Sequence, residues 1–167
     1  MRFKVLIFLS LFCFSSLAWA MSQVPEEAKA SPLVGRPAPD AVLAQSNGAS
    51  ASVLGARQGK KAVLIFWATW CPNCYQELGQ TYNDLAALEQ QGIKIILVDV
   101  GENKESVQKY FERRQMKWGS FVDQNSVLQD PYHLVGVPTL VFIDQKGLVR
   151  STAHVFPSDY QKYFSRW

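Results

Sequence analysis

The stretch Trp67-Ala68-Thr69-Trp70-Cys71-Pro72-Asn73-Cys74 constrains this chain more than any other. It closes the apolar run 62–67, which is too short for a helix and rich in β-favouring side chains, and so predicts a buried strand. From Pro72 to about Gln91 the residues Cys74, Leu78, Tyr82, Leu85 and Leu88 recur at helical spacing, with Gln76, Asn83 and Glu89 between them. Pro72 fits the first turn of that helix, where its missing N–H is not needed. The two cysteines therefore stand where a strand hands over to a helix.

That position has chemical consequences. A helix N-terminus offers unpaired N–H groups and about half a positive charge, which favours a thiolate at Cys71 and lowers a cysteine pKa from about 8.5 to roughly 3.5–7.5. Cys71 is thus the expected attacking sulfur. Cys74, one turn further in, is near enough to close a disulfide with it and buried enough to act as a resolving thiol. A zinc site would need two further ligands, and His133 and His154 form no second paired cluster, so both are read as ordinary polar or partly buried residues.

A strand ending in aromatic-Trp-Ala-x-Trp-Cys-x-x-Cys and running into a helix resembles the thioredoxin superfamily. Val34-Gly35-Arg36-Pro37-Ala38-Pro39-Asp40, a short hairpin and Gly59-Lys60 narrow the resemblance to the exported TlpA-like and ResA-like branch, over approximately Val34 to Val155. The fold this implies is α/β. It has a central mixed sheet built as βαβ then ββα, flanked by helices and preceded by an N-terminal β-hairpin extension.

The elements can be read in order. Asn47-Gly48 between 41–43 and 49–54 predicts the hairpin turn. The run 93–100 predicts a second buried strand, parallel to the first through a right-handed crossover. Residues 104–114 predict an amphipathic helix with Val107, Tyr110 and Phe111 inward, begun by Asn103. The segment from Trp118 through Phe121-Val122-Asp123 to Tyr132 reads as a loop and then a short helix. Gly136-Val137-Pro138 leads into a strand over 139–144, and 148–155 returns antiparallel after Gln145-Lys146-Gly147. Ser158 is the expected cap of a last short helix carrying Tyr160, Tyr163 and Phe164, with the packing of Trp167 left open.

By itself, Pro138 is compatible with an ordinary trans proline at a strand start. The resemblance implies a cis Val137–Pro138 bond facing Cys71. Val137 would then offer backbone hydrogen bonds to a substrate peptide, and Pro138 would keep unwanted ligands from the thiolate. Glu77 lies three residues beyond Cys74 on nearly the same helical face, which fits either a proton relay to the buried sulfur or a solvated charge. A Glu here is also a ResA-like feature. The chain departs from the pattern at Ile65, where thioredoxins keep a buried Asp, and at Gly79, where ResA-like proteins have a Pro. Trp67 is expected in the core, while Trp70 and Pro72 beside Cys71 are expected on the substrate surface.

Arg2 and Lys4, the apolar run 5–14 and the ending Ala18-Trp19-Ala20 read as a secretory signal peptide over 1–20, followed by a flexible lead-in over 21–33 and a thioredoxin-like domain over 34–167. An uncleaved anchor is the alternative, although the uncharged run is short of the roughly 20 residues a span requires. Phe12 is too bulky for lipid attachment at Cys13. Cleavage after Ala20 would leave Cys71 and Cys74 as the only cysteines, too closely spaced to serve as a structural staple.

With the leader's two basic residues removed, 17 Lys and Arg become 15 against 14 Asp and Glu, which gives no reason to expect a nucleic-acid partner. The expected activity is a periplasmic thiol–disulfide exchange, in the direction of reduction by resemblance. It uses no cofactor and no metal. Its partners are a protein disulfide and a membrane or periplasmic electron-transfer protein, and the chain is taken as a monomer. Net disulfide oxidation is one alternative. Another is a copper metallochaperone, for which His133 is the one histidine near Pro138. A peroxidase fits less well, because Thr69 stands two residues before Cys71 where thioredoxin-fold peroxidases place a Thr three before.

Overall fold

The structure is a computed structural model that describes residues 31–165. The expected leader, Cys13, most of the lead-in and Trp167 lie outside the described residues. Among the described residues, no helix is long and apolar enough to cross a membrane.

A run of apolar residues with no polar alternation can be satisfied only in the middle of a sheet covered on both faces. The strand β3 (Lys61–Trp67) does this, with every residue after Lys61 buried. It pairs in parallel with β4 (Ile93–Val100), from Lys61 opposite Ile93 to Trp67 opposite Asp99. On its other side it pairs antiparallel with β6 (Thr139–Ile143), which in turn pairs antiparallel with β7 (Val149–Ala153). The N-terminal hairpin consists of β1 (Val42–Gln45) and β2 (Ser50–Ser52), with Gly48 at φ 94° in its turn. A short strand β5 (Phe121–Asp123) bonds in parallel to β4 and antiparallel to β1, joining the hairpin to the centre. The result is one mixed seven-stranded sheet in the order β2-β1-β5-β4-β3-β6-β7.

Two helices connect the parallel strands. The helix α1 (Pro72–Gln90) joins β3 to β4 and runs unbroken through Gly79, and α2 (Lys104–Arg113) joins β4 to β5. Asn103 caps α2 by accepting from the Ser106 N–H at 2.9 Å. Both helices pack on one face of the sheet, where Val63, Ile65, Trp67 and Leu97 meet Cys74, Leu78, Val107, Tyr110 and Phe111. Trp67 is fully buried there, 4.8 Å from the Tyr110 ring and 5.4 Å from the Phe111 ring. The opposite face packs Leu64, Phe66 and Val141 against Leu43, Val53, Leu128 and Tyr132.

The segment 35–40 has a clear structural task. Gly35, at φ 81°, and Ala38 donate to the carbonyls of Val149 and Gly147, which lays the segment along the edge at β7. Asp40 then fastens the hairpin, accepting from the Ala41 and Leu54 N–H groups, both at 2.9 Å, and from Ser52 Oγ at 2.6 Å. Tyr132 OH reaches the Pro39 carbonyl at 2.6 Å.

Three expectations need correction. Residues 121–123 are a strand, where the sequence reads as a loop, because three residues are too few to show a period while β1 and β4 supply partners on both sides. Residues 124–133 then form a series of turns and not a helix. The Asp123 carboxylate accepts from the Val127 and Leu128 N–H groups, each at 2.8 Å, which holds the turns in place. At the C-terminus, Tyr160–Phe164 forms a 3-10 helix that begins after Asp159 with no side-chain cap, so Ser158 does not cap it.

Candidate active site

The redox pair is placed by the end of β3 and the start of α1. Cys71 is the N-cap of α1 and Pro72 its first residue, so the helix begins at the cysteine itself. Cys71 and Cys74 are joined in a disulfide with their Cα atoms 5.2 Å apart. The Cys74 N–H, one of the unpaired donors of the first turn, points at Cys71 Sγ at 3.1 Å. When the pair is reduced, that donor and the helix end would favour a thiolate at Cys71. Cys71 is 6% exposed and Cys74 not at all, the asymmetry expected of an attacking and a resolving sulfur.

The loop before β6 lies against this pair. Cys71 Sγ is 3.5 Å from the Val137 carbonyl oxygen, and the Val137–Pro138 peptide bond is cis. Thr139 Oγ1 donates to the Gly136 carbonyl at 2.7 Å and steadies the loop. His154 Nδ1 sits 2.8 Å from the Pro138 carbonyl oxygen, so the tautomer with its proton on Nδ1 donates there. Pro72 and Trp70 are exposed beside the pair, Trp70 to 69%, whereas Trp67 is sealed in the core.

Glu77 is not a solvated charge. It is 5% exposed, and Oε1 accepts from the Phe156 N–H at 2.7 Å. Burial raises its pKa, and the Phe156 bond offsets part of that rise. Between the first turns of α1 and the proline loop lies a cleft of about 530 Å³, lined by Asn73, Glu77, Val137, Pro138 and His154 among others. The site residues proposed from sequence thus converge on one region. His133 does not join them in a ligand set: it is exposed at a turn, and no group of three or more His, Cys, Asp or Glu suited to a metal occurs among the described residues.

Two acids behind the cysteines escaped the sequence reading. Glu102 accepts from both the N–H and Oγ1 of Thr69, each at 2.6 Å, and so grips the turn that carries Cys71. Asp99, in register with Trp67, is completely buried, and neither of its carboxyl oxygens has a hydrogen-bond partner. The available signal is a carboxylate in the apolar run that follows Lys94 in β4.

A sequence profile of the AhpC/TSA family matches residues 34–152. The chain belongs to that family. Thiol-disulfide oxidoreductase ResA of Geobacillus kaustophilus is 34% identical over 122 residues, covering 73% of this chain and 70% of the relative. ResA of Bacillus subtilis is 30% identical over 143 residues, covering 86% and 78%. The thioredoxin domain of a thiol-disulfide oxidoreductase from Bacteroides vulgatus shares the fold, with a TM-score of 0.69 at 22% identity, over 78% of this chain and 97% of that one. The thioredoxin-like fold and the ResA-like kinship hold, and by enzyme class the chain is a thiol–disulfide oxidoreductase.

Proposed function

We propose that this family member works outside the cytoplasm, exported by the leader over 1–20, and reduces disulfides of protein substrates with its Cys71–Cys74 dithiol. The observation that carries the reading is the paired asymmetry at the start of α1. Cys71 caps the helix, receives the Cys74 N–H and faces the Val137 carbonyl, while Cys74 is sealed behind it.

The Cys71 thiolate attacks one sulfur of the substrate disulfide, forming a mixed disulfide and expelling the other substrate sulfur as a thiolate, which takes up a proton. Cys74 then loses its proton and attacks Cys71, closing the enzyme disulfide and freeing the second substrate thiol. Two electrons pass from enzyme to substrate, and an electron-transfer protein of the membrane or periplasm returns them. Glu77 lies in the same helical turn as Cys74 and keeps its proton more firmly than an ordinary carboxyl, which suits it to relay the proton of Cys74 through the cleft. Val137 would bond the substrate backbone, with Trp70, Pro72 and Pro138 framing it. Cysteines of apocytochrome c or of a metal site are the substrate class this reading favours.

The test is insulin reduction together with trapping. Cys71→Ser should abolish activity, and Cys74→Ser should accumulate a mixed disulfide through Cys71; full activity in Cys71→Ser would sink the mechanism. The direction is read from the redox potential. A value near about −270 mV supports a reductase, and one near about −120 mV makes the protein a disulfide donor instead.

A further inference from the structure

The carboxyl end of β4 brings two acids to the back of the turn that carries Cys71. Strand alternation puts Asp99 on the face of Ile95 and Leu97, toward α1, beside Trp67 of β3. A buried carboxyl without a partner is costly in its charged form, and one beside a second carboxylate is costlier still. Glu102 is that second carboxylate, three residues on, past the Gly101 turn at φ 80°. Its own oxygens are already committed to Thr69, at 2.6 Å to the N–H and 2.6 Å to Oγ1.

We propose that Asp99 and Glu102 are a proton-sharing carboxyl pair that positions the Thr69–Cys71 turn, with neutral Asp99 as donor and Glu102 as the acceptor that also grips Thr69. Two adjacent negative charges, Asp99 fully buried and Glu102 half-buried, would repel, and one proton between them removes the conflict while leaving Glu102 its charge for Thr69. Asp99 is a positioning residue here, acting on Cys71 only through Glu102 and the turn. Its environment agrees: burial first, then the Glu102 carboxylate and more weakly Asp123 of β5, push its pKa up to about 8, against a smaller lowering by the nearby Glu102 N–H. The other faces packed around it carry Trp67 of β3 and Val122 of β5, and the same core holds Tyr110 of α2 and the Cys71–Cys74 pair. No cation is among the groups that act on Asp99. Loss of the shared proton would place a second negative charge behind the cysteines, loosen the hold on Thr69 and disfavour the Cys71 thiolate.

Carboxyl carbon NMR of the reduced full chain, labelled at aspartate and followed from about pH 4 to about pH 10, reads the pair directly. One aspartate should titrate with a midpoint near 8. That signal should vanish in Asp99→Asn, and the midpoint should fall by about one pH unit in Glu102→Gln, which removes the like charge. Every aspartate titrating in the ordinary range below about 6 would overturn the pairing. Alkylation of Cys71 by iodoacetamide, followed against pH, reads the consequence. Asp99→Asn keeps a neutral side chain able to donate, so it should match the unsubstituted protein within about twofold at neutral pH and pull ahead only above the Asp99 midpoint. Superimposable curves at all pH values would show that the pair does not act on the turn. The pairing rests on the proposed redox role only for this second readout. Alkylation falling on Cys74 in place of Cys71 would overturn that role and leave the carboxyl titration to stand by itself.

Discussion

Two buried carboxyls flank the redox pair, and their surroundings differ in one decisive respect. Glu77 opens onto the cleft and accepts a hydrogen bond from the Phe156 N–H, whereas neither carboxyl oxygen of Asp99 completes a hydrogen bond and the residue lies beside another acid. Burial raises the pKa of both, but only Asp99 reaches about 8. A carboxyl with one donor and access to a cleft can give and regain a proton during a reaction cycle. One sealed behind Trp67 beside a second carboxylate holds its proton through the cycle and contributes geometry. Buried acids near a thiol pair thus divide by their partners and not by their distance in sequence.

The largest test of that division is the stability of Asp99→Asn as a function of pH. Folding raises the Asp99 pKa from 3.8 to about 8, so the folded state binds more protons than the unfolded chain between those values. Stability from this group is therefore complete below the lower value and is lost as pH rises through the upper one. At about 1.4 kcal/mol for each pH unit of displacement, the loss at alkaline pH reaches an upper limit of about 6 kcal/mol. Urea unfolding should show the unsubstituted protein weakening across this window and Asp99→Asn holding nearly constant. Parallel pH profiles would remove the contrast with Glu77. Next in size is Trp67→Ala, expected to cost about 3–5 kcal/mol because a fully buried ring packed on Tyr110 and Phe111 is lost. By admitting water it should also lower the Asp99 midpoint while leaving Glu77 unchanged.

How far the sequence foretold this arrangement depends on the range of each interaction. Strands β3, β4 and β6 were legible as apolar runs, and α1 as a period anchored by Cys74, Leu78 and Leu88. The meeting of Cys71 with Val137 was legible only through resemblance, because nothing local in 136–138 points at residue 71. Strand β5 was missed because its evidence lies in partners on β1 and β4, far away in the chain. Asp99 reads as one more residue of a buried strand, although a carboxylate after the apolar residues 95–98 is itself an anomaly. Glu102 left no sequence signal, since its partner Thr69 is a loop residue 33 positions away.

Glu77→Gln gives a smaller effect, of a different kind. The amide oxygen can still accept from the Phe156 N–H, so the fold should persist with a melting temperature close to that of the unsubstituted protein. Insulin reduction should slow by about a hundredfold, the modest end for loss of a proton-transfer group, and the pH dependence that Glu77 imposes should disappear. An unchanged rate and pH profile would make Glu77 a second structural acid and erase its difference from Asp99.

The smallest expected effect comes from Thr69→Val, which keeps the shape of the side chain and removes one of the two donors that hold Glu102. The Thr69 N–H remains on Oε2, so the grip is halved and not lost, and the cost should be about 1 kcal/mol. Glu102 would then keep a single backbone donor, the situation of Glu77. With its charge less well satisfied it should draw harder on the Asp99 proton, so the Asp99 midpoint should rise while the Glu77-dependent limb of the activity profile stays in place. A midpoint that does not move would mean that Thr69 and Asp99 bind Glu102 independently, and the turn would then be held by Glu102 alone.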